Sequence, residues 1–481
     1  MCDTLYCSLH NKGFPTKAFF GKNSDRHPAE AQSICIVARR QSSDSSSFGE
    51  RQLPVPDAGL SFLLSKPSWM AGGEMGINEK GVAIGNEAVF SRFKRAKEGF
   101  LGMDMLRAAL GSAATAKEAL DFLCRFVESY DQGGNGAYRG SLYYDNSFII
   151  ADPKEAFILE TAGRRWAWRA AEKWDAISNA YAIEEDYKRL DAQTRKEIAP
   201  VNERAACSDE ADPGRKGSKE SFKAHVENRF FLRFTKGELR RKLSLELLGR
   251  FYKDMDAPGE AAGREASSKE AAHKETTRRE IADPAVTDGS AGSRSAVNSM
   301  AMDSMAVNRS PVLGFLDILR SHGARDPSRP GRLHMESLCI HPGGLPATAT
   351  TASFAVDYRS EDSAIIWFTG TSTPCLSLYK PLLLYKGEFK TLWTGYNYGE
   401  GAEKSESYWR RWKDWEDRSK KLKRAEDAAY AASLGQAQEA LALIAEKALY
   451  DLEASKEGSS LPVLRQEAGA IISGWEKDLG L

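Results

Sequence analysis

A cysteine at position 2 is chemically unusual, because removing the preceding methionine leaves a thiol and a free α-amine on one residue. The unperturbed amine titrates at ~7.7 to 8.0 and a free thiol at ~8.5, so near neutral pH the pair can share a proton and form a thiolate without a histidine. Nucleophile and base then come from the same residue. The next residues able to do chemistry lie in Gly21-Lys-Asn-Ser-Asp-Arg26, which supplies Lys22 and Asp25. Taken singly, each feature is ordinary: a second-position cysteine, and a polar loop at the end of a strand. They become a site only if the chain brings them together.

Local patterning does that. Residues 3–9 and 17–21 are short apolar runs separated by the turn-rich pentad Asn11-Lys-Gly-Phe-Pro15, which predicts an antiparallel hairpin. With the turn centred near Gly13, paired positions sum to about 26, and directly facing residues lie ~5 Å apart. Cys2 then faces the Lys22 to Asp25 stretch, with a cation that favours thiolate and a carboxylate that holds an α-ammonium. A second hairpin is predicted from Gly73-Glu-Met-Gly-Ile77 and Val82-Ala-Ile-Gly-Asn86 around Asn78-Glu-Lys-Gly81, and a third from Ser147 to Ala151 and Ala156 to Glu160 around Asp152-Pro-Lys154. Between them, Thr115 with Glu118 is a capping box, and Leu120, Leu123 and Val127 mark one face of a helix running to about Tyr130. Strands, helices and strands in that order predict a layered α+β domain with mainly antiparallel sheets.

Residues 256–309 are rich in Ala, Ser, Glu, Lys and Arg and nearly devoid of aromatics, so they lack the apolar surface to offset ordering entropy. Strand-like runs return at 352–356 and 364–368, and from Tyr408 the charged residues alternate with Trp409, Trp412 and Trp415 in helical spacing. The chain therefore divides into 1–255 and 310–400 as two parts of one domain, 256–309 as a disordered or low-complexity insert, and 401–481 as a helical extension.

Bulk properties exclude more than they select. Hydrophobic residues make up 42% of 481, enough for a large core. Lysine plus arginine and aspartate plus glutamate each number 67, so no global field points to nucleic acid or an anionic membrane. The tryptophan and basic residues from Trp409 to Arg424 are interrupted by Asp414, Glu416 and Asp417, which argues for a buried helix face rather than a base-stacking platform. Seven cysteines without a repeating spacing form no disulfide framework. With no signal-peptide pattern and no membrane span, a cytoplasmic protein is expected. Cys339 and His341, with His334 and Cys375 nearby in sequence, lack a second well-spaced pair, so no metal or cofactor is expected. Gly133-Gly-Asn-Gly136 lacks the ending of a phosphate loop. Monomer and homo-oligomer are both left open.

Several segments together resemble the secernin and C69 dipeptidase family of N-terminal-nucleophile hydrolases. They are Cys2-Asp-Thr4, Gly21 to Arg26, Gly73 to Glu79, Gly85-Asn-Glu-Ala-Val89, Asn146-Ser-Phe148, Leu159 to Gly163, Ile177-Ser-Asn179, Ser337 to His341 with Thr350 to Ser353, and Tyr408-Trp-Arg-Arg411. The resemblance implies an αββα four-layer sandwich and hydrolysis of a small peptide or amide, with dipeptides as substrates. It implies Cys2 as nucleophile, Asp25 as the carboxylate at its amine, and Asn86 and Asn179 as oxyanion donors; His341 and Thr351 are kept as substrate contacts. Lys22 stands where the wider superfamily generally has arginine, and supplies charge without a bidentate fork. Only Met1 precedes the cysteine, so maturation is expected to need methionine aminopeptidase rather than self-cleavage. The resemblance also leaves room for a secernin-like protein that keeps the fold and acts as a regulatory or scaffold partner.

Overall fold

The computed structural model describes residues 1–11, 14–39, 47–48, 51–52, 59–198, 220–256, 310–323, 334–342, 347–396, 398–399, 403–419, 428–454 and 460–481. Its first two strands, β1 (Cys2–Asn11) and β2 (Phe14–Arg26), pair antiparallel, with Cys2 opposite Ser24, Asp3 opposite Asn23 and Thr4 opposite Lys22. That is the register expected from the turn, and it holds until a shift between Leu9 and His10. In chain order the further strands are β3 (Gln32–Val37), β4 (Ser47–Phe48), β5 (Arg51–Gln52), β6 (Phe62–Pro67), β7 (Met75–Asn78), β8 (Ala83–Val89), β9 (Asp145–Ala151), β10 (Ala156–Ala162), β11 (Arg165–Ala170), β12 (Trp174–Ile177), β13 (Arg189–Leu190), β14 (Ala349–Tyr358), β15 (Ser363–Phe368), β16 (Lys380–Tyr385) and β17 (Glu388–Thr391). The helices are α1 (Gly102–Ser112), α2 (Ala116–Ser129), α3 (Ala192–Ile198), α4 (Phe222–Val226), α5 (Arg229–Thr235), α6 (Gly237–Asp256), α7 (Pro311–Leu319), α8 (Glu403–Ser419), α9 (Ala428–Glu453) and α10 (Leu461–Asp478).

Two large antiparallel sheets carry the molecule. The first runs β12-β1-β2-β14-β15-β16-β17 and the second β13-β11-β10-β9-β8-β7-β6-β3. They face each other where β1 meets β8 and β9; α6, α7 and α9 lie on the first sheet, and α1 and α2 on the second. The result is an α+β chain in helix, sheet, sheet, helix layers. Every residue of β9, β10, β14, β15 and β16 is buried, because a sheet between a helix layer and another sheet meets water on neither face. This explains the unbroken apolar runs at 148–151, 156–159, 364–368 and 381–384 within these strands.

Local signals account for the connections. Thr115 accepts from the Glu118 amide at 3.1 Å, but the Glu118 carboxylate returns to Ala114 N at 2.8 Å, one residue before the cap. Asp152 makes the turn between β9 and β10 by accepting from Lys154 N and Glu155 N at 2.8 and 3.0 Å. Gly81 adopts φ 82° in the turn between β7 and β8, a conformation that only glycine takes without cost. The expected insert 256–309 lies outside the described residues apart from Asp256, the last residue of α6. Beyond it, β14 pairs with β2 and so completes the same sheet as the first strand. Trp409, Trp412 and Trp415 of α8 are buried and do not present a stacking surface. No helix among the described residues is long and apolar enough to cross a membrane.

Candidate functional site

Cys2 opens β1 at one end of the first sheet and is 6% exposed. Its backbone nitrogen donates to Asn179 Oδ1 at 2.7 Å, the Asp25 amide donates to its sulfur at 3.4 Å, and Ser178 Oγ donates to its carbonyl at 3.3 Å. Asn179 reaches the cysteine because β12, two residues earlier, pairs with β1, setting Ile177 opposite Thr4.

A buried arginine organises this end of the sheet. Arg240, from α6, is fully buried. It donates through Nε to both oxygens of Asp3 at 2.9 and 3.2 Å, and through Nη2 to Ser178 Oγ at 3.0 Å and Asn179 Oδ1 at 2.7 Å. Cys2 N and Arg240 are obligate donors, so the atom of Asn179 facing them is its oxygen; the amide nitrogen donates to Ala88 O at 2.8 Å. The resemblance implied an oxyanion donor at Asn179. In this arrangement the side-chain oxygen orients the Cys2 nitrogen, and the amide nitrogen, having given one hydrogen to Ala88 O, keeps a second for another acceptor.

Asp25 is buried, and Thr350 Oγ1 donates to its Oδ1 at 2.6 Å. Its Oδ2 is buried without a hydrogen-bond partner. Burial pushes this carboxyl up to about 7; the chain's terminal ammonium, Arg240 and the Thr350 hydroxyl pull it down, while Asp3 raises it. Lys22 is also fully buried and donates to Glu87 Oε1 at 3.2 Å, an oxygen that also accepts from Thr4 Oγ1. Burial alone would lower the Lys22 pKa, but its neighbours Cys2, Glu87 and Glu74 outweigh it and raise it. Asn86, on β8, donates to Asn146 Oδ1 at 3.1 Å, and Asn146 donates in turn to Gln132 Oε1 at 3.0 Å. An amide nitrogen carries two hydrogens, so Asn86 keeps one for another acceptor.

With Met1 in place, the terminal ammonium donates to the Asp25 carbonyl at 2.7 Å, and the Cys2 nitrogen is a peptide amide. Burial pushes the Cys2 thiol up to about 12, against the pull of Lys22. In this form the residue has neither a base of its own nor a thiolate.

Met1, Cys2, Asp25, Asn86 and Asn179 line one cavity of ≈ 540 Å³, together with Arg26, Glu74 and an apolar group comprising Phe90, Tyr138, Leu142, Phe231 and Phe234. Phe234 is 55% exposed and Leu142 41%, so the mouth presents hydrophobic surface to solvent. The Arg26 charge is taken up by Glu30 at 2.6 Å and Glu74 at 3.0 Å.

Of the residues singled out in the sequence, Cys2, Asp25, Asn86 and Asn179 therefore share a cavity, and Lys22 sits behind it. Two do not. Thr351 is the extra residue of a bulge in β14, where the pairing with β2 shifts between Thr350 and Ala352; its hydroxyl donates to Ser24 O at 3.2 Å and its carbonyl accepts from Trp409. The bulge turns the neighbouring Thr350 toward Asp25 instead. His341 lies outside the cavity lining, with its Nε2 3.0 Å from both His322 Nε2 and Cys375 Sγ. Sequence patterning does not single out Arg240, Thr350, Glu87 or Glu74. Arg240 sits on a helix that carries no clear apolar period, and nothing in its local pattern marks it as buried.

Residues 13–160 match a family model described as acyl-coenzyme A:6-aminopenicillanic acid acyl-transferase. Two structures of the conjugated bile acid hydrolase of Clostridium perfringens, each of a singly substituted form, align at 11% identity and a TM-score of 0.39, over 82% of this chain and 98% of theirs. The N-acylethanolamine-hydrolyzing acid amidase ortholog of Caenorhabditis elegans aligns at 11% identity and a TM-score of 0.25, over 38% of this chain and 71% of its own. Structural likeness at that level carries no functional argument. The sequence match does not extend to Cys2, but it spans β2, β8 and β9, the strands that carry Asp25, Asn86 and Asn146. Over residues 13–160, then, the chain is similar to an acyl-transferase family of the N-terminal-nucleophile hydrolase kind.

Proposed function

We propose that this chain is an N-terminal-nucleophile amidohydrolase that acts through Cys2 once Met1 has been removed. The observation that carries the reading is the convergence of Cys2, Asp25, Asn86 and Asn179 on one cavity from β1, β2, β8 and the residue pair after β12. Removal of Met1, the proposed task of a methionine aminopeptidase in a reducing cytoplasm, creates an α-amine held by Asn179 Oδ1 within reach of the thiol. That amine takes the thiol proton while the Lys22 ammonium stabilises the thiolate. The sulfur attacks the amide carbon, the C–N bond breaks, and the leaving amine takes the proton back from the α-ammonium. Water, deprotonated by the same amine, then hydrolyses the thioester and releases the acid. Asn86 supports the oxyanion, a role in which one donor is typically worth ~3 kcal/mol.

The substrate we propose is a small amide with an apolar moiety, dipeptides with large apolar side chains being the first to try. The aromatic mouth supports this, and so does Arg26, whose charge is already matched by Glu30 and Glu74. Cys2→Ala and Cys2→Ser should each lose at least about 10³-fold in kcat on every amide cleaved, with circular dichroism unchanged. Retained turnover in Cys2→Ala would sink the mechanism.

A second reading is a secernin-like regulatory or scaffold protein, in which Met1 stays on Cys2 and no free cysteine amine forms. Intact mass decides between them. A chain purified from its own cells with Met1 still attached has no amine on Cys2 and cannot follow the proposed route.

A further inference from the structure

We infer that His322, Cys339, His341 and Cys375 bind one zinc ion in a closed structural site, separate from the Cys2 cavity. Each of these residues offers one ligand atom, and the four atoms lie within 4.8 Å of one another. Around tetrahedral zinc, with bonds of ~2.3 Å to sulfur and ~2.0 Å to nitrogen, ligand atoms stand ~3.3 to 3.8 Å apart, so small side-chain rotations bring this set to coordination distance. The two imidazoles approach through the same atom, His322 Nε2 lying 3.0 Å from His341 Nε2, and that second nitrogen is also 3.0 Å from Cys375 Sγ. A lone proton can join only two of these atoms at once. A cation at their common point accepts the lone pairs of all.

The backbone gathers these residues independently of any metal. His322 follows α7, Cys339 and His341 lead toward β14, and Cys375 lies in the short helical turn Pro374–Leu376 between β15 and β16. Leu338 N and Cys339 N both donate to Ser321 O, at 3.2 and 3.0 Å. Arg320 donates to Pro374 O at 3.2 Å and Ser377 O at 3.0 Å. Three segments distant in sequence are thus pinned at one point. Two thiolates and two neutral imidazoles balance the charge of Zn²⁺, and binding releases the two thiol protons to solvent. Four protein ligands leave no open position, which marks a structural rather than a hydrolytic ion. The expectation of no metal rested on Cys339 and His341 lacking a paired partner; that partner is His322, which the fold supplies. The His334 side chain lies outside the described residues.

The site also abuts the wall of the Cys2 cavity. Between the ligands Cys339 and His341, Ile340 N donates to Thr350 Oγ1 at 2.8 Å, the hydroxyl that bonds Asp25.

The test uses the full chain, with any tag removed, purified without chelator. Elemental analysis should find a zinc-to-chain ratio of about 1 that survives gel filtration, and Cys339→Ser, Cys375→Ser and His322→Ala should each lose most of that zinc. Because such variants can misfold, a second measurement uses the native sequence: cobalt exchanged for zinc should show thiolate-to-cobalt charge transfer and the visible bands of a tetrahedral ion. Folded, active protein with no zinc and no cobalt–thiolate band would overturn the proposal. Zinc retained in the Cys339→Ser/Cys375→Ser double variant, or a Cys339–Cys375 disulfide in freshly isolated protein, would overturn it as well.

Discussion

Asp25 has one oxygen bonded to Thr350 and the other buried without a partner, and its carboxyl is raised to about 7 chiefly by burial. The Thr350 hydroxyl works against that rise by donating to the carboxylate. In Thr350→Val the donor is gone, so Asp25 should hold its proton to higher pH. A hydrogen bond to a charged group is worth ~1.5 to 3 kcal/mol, which corresponds to about one to two pH units. The acidic limb of kcat/KM should move up by that amount, and an unchanged profile would show that Asp25 does not titrate in the working enzyme. The stability linkage has the same sign. A carboxyl raised on folding contributes stability at low pH that is lost as pH rises through its folded value, here near 7. Thr350→Val should extend that loss to higher pH, as thermal melts between pH 4 and pH 9 would report.

At the scale of elements, the opening hairpin and the contact between the two sheets decide whether the site assembles. Gly85 on β8 faces β1 and β2: a Cβ there would meet Lys22 Cδ at 2.8 Å, Thr4 Oγ1 at 3.0 Å and Phe20 Cζ at 3.1 Å. Gly85→Ala should therefore cost about 1 to 3 kcal/mol by overpacking and push Lys22 away from Glu87. Urea unfolding measures the first effect, and wild-type stability would show that the sheets have slack at this point. The β1–β2 register was legible in the sequence because a short turn and a period of two leave few alternatives. The choice between Thr350 and Thr351 was not. A bulge adds one residue to one strand, and only the pairing of β14 with β2, across more than three hundred residues of chain, shows where it falls.

For the whole molecule, the C-terminal helices belong to the main core, α9 packing on β16 of the first sheet and α8 on β3 of the second. Trp412 is buried, donates to Ser372 O at 3.1 Å, and stacks on Trp475 of α10 with ring centroids 5.7 Å apart. Trp412→Ala should cost about 3 to 5 kcal/mol, read as a lower urea midpoint; a loss below about 1 kcal/mol would mean that the extension is only loosely attached.

By itself the sequence determined what local patterning and residue chemistry can express. It showed the nucleophile candidate at Cys2, the hairpin that sets it against Lys22 and Asp25, the hairpins of β7–β8 and β9–β10, and the tryptophan face of α8. These depend on neighbours a few positions apart, so periodicity and turn chemistry suffice. The tertiary structure alone decided that Arg240 ties Asp3 to Asn179, that Thr350 rather than Thr351 meets Asp25, and that His322 joins Cys339, His341 and Cys375. Those groupings are made by strand order and helix docking across gaps of tens to hundreds of residues, where chain closure rather than local propensity chooses the partner.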